Sequence, residues 1–467
     1  MRKIFVVPVV CLAFATLQLS RSVLAQTQPN NTVAKDPGVR AGTINAGLPL
    51  SSLSPSQLQF FNDGLARFNE IEQVANGLGP TFNSNSCGNC HAQPSTGGTS
   101  PKTDQFPNIG PNPQIEAASA NGGTNRIPFF ITSDGPVREA RFPFAVTPNG
   151  TLSRNPDGGV HALFTIAGRS DAGSCTLAQP NFEQMQQLGN LIFRIPTPVF
   201  GAGLIENIPD AAILANMRAN LTLKQHLGIS GRPNTTGNDG TITRFGWKAQ
   251  NKSLEVFAGE AYNVEIGVTN ELFPNERGNP PSSCIMNATP EDVTHFDQSG
   301  YLVLGDTVQF ANFMRFLAAP VPSMQGIPGN RTASSIQHGQ ALFSQIHCDM
   351  CHTPILQTAA SSLTSGLSNQ AVPLYSDLLL HSMGVGLSDN ISQGAAGPDE
   401  FRTAPLWGLG QRIFFLHDGR SGPTNGGLVH AIQQHSSNGS EATGVISNFN
   451  QLSSQQKQDL LNFLRSL

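Results

Sequence analysis

Apolar side chains recur at helical spacing in four places along the chain. Leu58, Phe61, Leu65 and Phe68 make the first stripe. Ser54-Pro55-Ser56-Gln57 precedes it with the marks of a helix start: a Ser cap, Pro at the first position and Gln completing a capping box. Phe310, Phe313, Met314 and Leu317 make the second stripe. Ile336, Leu342, Phe343 and Ile346 make the third, with Ser335 expected as its cap. Leu460, Phe463, Leu464 and Leu467 make the fourth. The stripes pair up. Asn312-Phe313-Met314-Arg315-Phe316-Leu317 resembles Asn462-Phe463-Leu464-Arg465-Ser466-Leu467, so the chain reads as one unit used twice.

Each unit opens with a helix, reaches a C-x-x-C-H motif, passes through a variable middle and ends on a closing helix. The first is expected over residues 51–317 and the second over 332–467. Residues 318–331, rich in Pro and Gly, are the natural linker, and the polar stretch 26–50 is expected to be a loose arm. Asn312 lies 225 positions after Cys87, whereas Asn462 lies 114 after Cys348. The first unit therefore carries about a hundred extra residues, of the kind that build a pocket.

Composition sharpens this picture. A length of 467 residues is ample for two domains, and 47 Gly with 33 Pro predict many loops. Charged residues are 12% of the chain and net charge is −4, without the basic stripe that nucleic acid requires. Residues 1–25 have the form of a signal peptide: Arg2 and Lys3, an apolar run Ile4–Leu19, then Val23-Leu24-Ala25. An uncleaved anchor is the alternative. No later segment is apolar enough over a sufficient length to span a bilayer, so a periplasmic or secreted protein is expected. Cys11 falls in this leader and four of the seven cysteines fall in the two motifs. Cys175 and Cys284 remain as an even pair, expected to form a disulfide in an oxidising compartment, or else to be two buried thiols.

The motifs are Cys87/Cys90/His91 and Cys348/Cys351/His352. Two thiols three apart followed at once by His suit covalent attachment of haem: the sulfurs take the vinyl groups and the imidazole lies beneath the iron. Zinc would need four ligands in two nearby pairs, and a redox dithiol has no use for the His. Two c-type haems are thus expected, with His91 and His352 as proximal ligands. The expected fold is mainly α: two cytochrome c-like haem domains in tandem, the first enlarged by loop-rich insertions. Candidates for the sixth ligand in the second unit are His381, Met383, His417, His430 and His435; in the first, no His follows His91 until His161. A capped iron transfers electrons, whereas an open one binds small molecules.

Further stretches carry a family resemblance. They are Gly77-Leu78-Gly79-Pro80-Thr81-Phe82-Asn83, Arg194-Ile195-Pro196-Thr197-Pro198-Val199-Phe200-Gly201, Arg244-Phe245-Gly246-Trp247-Lys248-Ala249, Ser376-Asp377-Leu378-Leu379-Leu380-His381, Phe401-Arg402-Thr403-Ala404-Pro405-Leu406-Trp407 and Phe415-Leu416-His417-Asp418-Gly419-Arg420. With Asp63-Gly64-Leu65 they resemble the di-haem cytochrome c peroxidase superfamily, in particular its di-haem oxidoreductase branch; rubber oxygenase is a more distant relative. The resemblance implies an electron bridge at Trp247 and a general acid/base at Glu265, within Asn263-Val264-Glu265-Ile266. It implies His435 as the sixth ligand of the second haem, with Met383 the runner-up and His417 structural. It also implies a peroxidase-like activity at the first haem, using hydrogen peroxide or oxygen and a small redox protein as electron donor. Two departures stand out. The removable His of the resting peroxidases is missing between His91 and His161. A calcium-binding threonine of the peroxidases aligns near Arg412, which puts calcium in doubt. The rival functions are an oxygenase acting on an organic substrate, a non-catalytic di-haem electron carrier, and a redox-sensing module.

Overall fold

The Pro55–Phe68 helix starts where its sequence predicts. Ser54 accepts from the Gln57 N–H, the Gln57 side chain returns to the Ser54 N–H, and Pro55 opens the first turn. Its apolar face is buried on the Asp306–Phe316 helix, with ring centroids 5.4 Å apart for Phe61–Phe313 and 4.9 Å for Phe68–Phe313. Gly64 lets the two backbones approach, since a Cβ there would strike the Gln309 carbonyl. The Ala333–Gln345 and Ser454–Ser466 helices cross in the same manner. Gly339 lies against the Asp459 carbonyl, and Phe343 packs on Phe463 at 5.5 Å. The paired stripes of the sequence are two copies of one helix crossing. The cap of the third stripe differs from expectation: Thr332, not Ser335, accepts from the Ser335 N–H and caps the helix. Ser335 lies inside it, donating to Asp459 and accepting from Asn462 Nδ2 at 2.8 Å. Both residues offer a hydroxyl; the extended backbone at Thr332 decides.

These coordinates are a computed structural model describing residues 33–42, 45–100, 111–156, 159–235, 239–286, 293–329 and 331–467. The chain divides into Met1–Val33 and Ala34–Leu467, and everything described below concerns the latter. The leader expected at 1–25 lies outside the described residues. Among the described residues no helix is long and apolar enough to cross a membrane.

The fold is helical, with long loops and, among the described residues, six short two-stranded antiparallel ribbons. Two of these hold site residues: Glu139–Arg141 with Ile192–Arg194, and Leu380–Ser382 with Glu400–Arg402. They are three residues long, too short for alternation to reveal them in sequence. Cys175 and Cys284 form the expected disulfide, closing the enlarged first half. One apolar cluster gathers Phe61, Phe82, Phe313 and Trp407; a second gathers Ile336, Phe343, Phe449 and Phe463. The arm expected to be loose is held from Ala34 onward. Asp36 pairs with Arg465 at 2.7 Å, the Arg40 N–H donates to Gly410 at 2.8 Å, and Arg40 is buried. Its partners lie hundreds of residues away, so polar composition alone misread it.

Candidate haem centres

Cys87–Cys90 form one turn of helix and His91 follows it. The His91 Nδ1 hydrogen-bonds the Gly98 carbonyl at 3.0 Å, which leaves Nε2 as the nitrogen open to a metal. Phe68 meets the ring edge-on at 5.7 Å. Burial pushes His91 down to about 4, so it is a neutral imidazole, the form that ligates. These residues line a cavity together with Asn83, Gln114, Glu139, Arg141, Arg194, Trp247 and Glu265. Glu265 stands in a π-helical turn, Tyr262–Ile266, a rare conformation often found at functional sites. Asn83 Nδ2 donates to its Oε2 at 2.9 Å. Glu139 lies beside it and accepts from Arg141 Nε at 2.7 Å. Burial and then the Glu139 charge raise Glu265 well above the usual carboxylate range.

The second motif repeats the proximal arrangement. His352 Nδ1 bonds the Tyr375 carbonyl at 3.0 Å, and burial pushes His352 down to about 4. The surrounding cavity is more apolar and includes His435, Met383, His381 and His417. His435 follows the Leu428–Gln434 helix, and its Nδ1 bonds the Ala431 carbonyl at 2.7 Å. Its Nε2 is therefore the free nitrogen, and burial lowers its pKa, favouring the neutral imidazole that can ligate. His381 is occupied at both nitrogens, by Glu441 at 2.7 Å and Asp377 at 2.9 Å. His430 contacts Ser421 and Gln434 and is not among the residues lining the cavity. His417 lies flat on Phe401 at 4.3 Å.

Both sites pass a chemical test for haem. Each brings together two cysteines and a neutral His with one nitrogen already engaged, in one cavity. The Cys90 and Cys348 thiols, pushed up to about 12 by burial, have the opposite tendency to the lowered thiol of a redox dithiol.

Trp247 lines both cavities. Its Nε1–H donates to the Ile195 carbonyl at 2.8 Å, and the Ile195 N–H donates to the His417 carbonyl at 2.7 Å. The next residue, Lys248, is fully buried, 3.0 Å from Asp389, with its ammonium 4.0 Å from the Phe401 ring centroid. Arg194 meets the same carboxylate at 2.6 Å.

The family described as "Di-haem oxidoreductase, putative peroxidase" matches residues 161–467, about two thirds of the chain. The chain belongs to the di-haem oxidoreductase family. The match includes the second motif, Trp247 and Glu265, and begins after the first motif. No curated protein matches. Two solved structures share weak likeness. One is the hydrazine synthase of Kuenenia stuttgartiensis, with 12% identity, a TM-score of 0.34 and coverage of 98% of this chain and 99% of that one. The other is a MauG-like protein associated with microbial copper homeostasis, with 16% identity, a TM-score of 0.27 and coverage of 58% and 89%.

As a di-haem oxidoreductase the chain uses haem, and its candidate residues sort by position. Cys87, Cys90, His91, Glu265 and Trp247 share the first cavity. Cys348, Cys351, His352, His435, Met383 and Trp247 share the second. His161 stacks on Phe142 at 4.1 Å and is not among the residues lining the first cavity. Arg412, where calcium was in doubt, places a guanidinium beside the second cavity, donating to the Pro405 carbonyl at 3.1 Å. Sequence reading missed Glu139 and Arg141. They belong to no motif, and only the folded chain puts them in one cavity with Glu265.

Proposed function

We propose that this di-haem oxidoreductase is an exported peroxidase-type enzyme built as two cytochrome c-like units, with haem covalently attached at each C-x-x-C-H motif. Chemistry is assigned to the Cys87–His91 cavity and electron relay to the Cys348–His352 cavity. The observation that carries this reading is Trp247, which lines both cavities while Glu265 lines only the first.

Bound in the two cavities, haem supplies the iron redox chemistry and the place where a small oxidant binds. The protein supplies the rest. His91 and His352 would hold the metal, each with its ring fixed by a backbone carbonyl on Nδ1. His435 caps the second site, with Met383 the competing ligand in the same cavity. Glu265 handles the protons of peroxide at the first site, positioned by Asn83. Trp247 offers the shared aromatic surface between the sites, fixed by its bond to Ile195. The overall reaction takes hydrogen peroxide, two protons and two electrons to two waters, the electrons coming from an external small redox protein. Glu139, Arg141 and Arg194 place charged groups in the otherwise apolar first cavity, where they can orient a small polar oxidant.

The test is the absorption spectrum of purified protein, oxidised and half-reduced, followed by peroxide. The expected result is one high-spin and one low-spin haem, with peroxide consumed by wild type and far more slowly by Glu265→Gln. Low-spin haem alone in every redox state would overturn the reading.

A further inference from the structure

We propose that Glu139 is the second member of a proton-sharing carboxyl pair with Glu265, and that this pair, not Glu265 alone, moves the protons of the oxidant at the first site. The proposal rests on the peroxidase-type reading and names a positioning residue which that reading lacks.

The geometry is an acid pair in one cavity. Glu139 and Glu265 both line it, close enough for each carboxyl to act on the other. A carboxylate oxygen only accepts, so two carboxyls can bond each other only if one carries a proton. Glu139 is the member built to be ionised. Its Oε1 takes the Arg141 Nε–H at 2.7 Å, within a strand whose partner strand brings in Arg194. Its Oε2 is buried and meets no N–H donor or side-chain hydroxyl. Glu265 is the member built to keep the proton, with only the neutral Asn83 amide on its Oε2. Electrostatics agree: burial would raise Glu139, but Arg141, Glu265 and Arg194 together outweigh it and lower the group, while burial and Glu139 together raise Glu265. The other charged groups acting on the pair or on Arg141 are Arg194, Arg277 and Glu260. Cys87 and Cys90 lie close by and become neutral thioethers once haem is attached.

A lone carboxylate must first take a proton and then return it to another atom. A pair that holds one proton and has one site free can do both together. Glu265 gives its proton to the far oxygen of peroxide as the O–O bond breaks and water leaves. The oxygen retained at the haem site would release its proton to the pair, and haem iron would supply the two electrons that O–O cleavage consumes until the external donor restores them. The pair ends with the one proton it began with. The two further protons and the two electrons of the overall reaction come from solvent and from the external redox protein.

The test uses the haem-loaded full chain. Infrared difference spectra across a pH titration follow the C=O stretch of a protonated carboxyl, a readout independent of turnover. Wild type should show one such band, missing in Glu265→Gln. In Glu139→Gln the band should persist but titrate about one pH unit or more lower, because the facing anion is gone. The alkaline limb of peroxide consumption should shift down by the same amount, and Glu139→Asp should restore most of it. An unchanged titration and pH profile in Glu139→Gln would overturn the pair while leaving the peroxidase reading intact. A titrating pair in a protein that consumes no peroxide would overturn that reading and leave the pair standing. If Glu139→Gln does not fold, wild type alone decides: no protonated-carboxyl band refutes the proposal.

Discussion

Asp389 is the residue whose loss the structure allows to be worked through most fully. Its side chain is fully buried, with Arg194 Nη2 at 2.6 Å on one oxygen and Lys248 Nζ at 3.0 Å on the other. Asp389→Asn would leave two buried cations facing a neutral amide. Breaking a buried ion pair by removing one partner costs about 3–5 kcal/mol. Unfolding entropy is about 2.1 cal/mol/K per residue, so a unit of this size loses only about 1 °C of Tm per kcal/mol. The variant should therefore melt roughly 3–5 °C lower. Burial by itself would raise the Asp389 pKa, but Arg194 and Lys248 outweigh it and hold the group below the usual range. Its contribution is therefore present above the unfolded carboxylate pKa of about 3.9 and is lost as pH falls through the lower folded value. The gap between wild type and variant should be steady from about pH 5 to 7 and narrow only below about pH 4. Because Lys248 follows Trp247 directly, internal electron transfer should slow as well. The assay is denaturant unfolding across pH, with Lys248→Met added to the variant to remove one stranded cation. A loss under about 1 kcal/mol, or a gap widening toward acid, would refute the argument.

Three further outcomes follow from named contacts. His435→Ala should turn the second haem high-spin; a spectrum that stays low-spin, and changes only when Met383→Leu is added, would assign the ligand to Met383. Gly339→Ala should destabilise the protein by about 1–3 kcal/mol in chemical denaturation, because the added methyl meets the Asp459 carbonyl at the helix crossing. Replacing Cys175 and Cys284 with Ser should cost about 2–4 kcal/mol, since the bridge closes a loop with a sequence separation of 109; equal denaturation midpoints with and without reductant in wild type would contradict this.

What could be read from the sequence was what local spacing encodes. The capping box at Ser54 and the four apolar stripes each depend on neighbours within a few turns, and the helices they predict are present, although Leu58 of the first stripe is exposed. Even there a choice between two hydroxyls, Thr332 and Ser335, turned on a backbone angle that spacing does not contain. The site beyond the motifs was legible only as far as resemblance carried it, to Trp247, Glu265 and His435. Glu139 and Glu265 meet in one cavity only in the folded chain, and both nitrogens of His381 are taken by Asp377 and Glu441. The Asp36–Arg465 pair docks the arm in the same long-range way. Such pairings are decided by the fold as a whole, and no periodicity announces them.

The claim at the centre of this account is that Trp247 joins a reactive first site to a relaying second one. It is tested by mixing half-reduced protein with peroxide and following oxidation of the second haem in a single turnover. Wild type should oxidise the second haem rapidly. Trp247→Phe should bind peroxide equally well and oxidise that haem at least about tenfold more slowly, a barrier increase of about 1.4 kcal/mol. Equal rates in the two proteins would contradict the account.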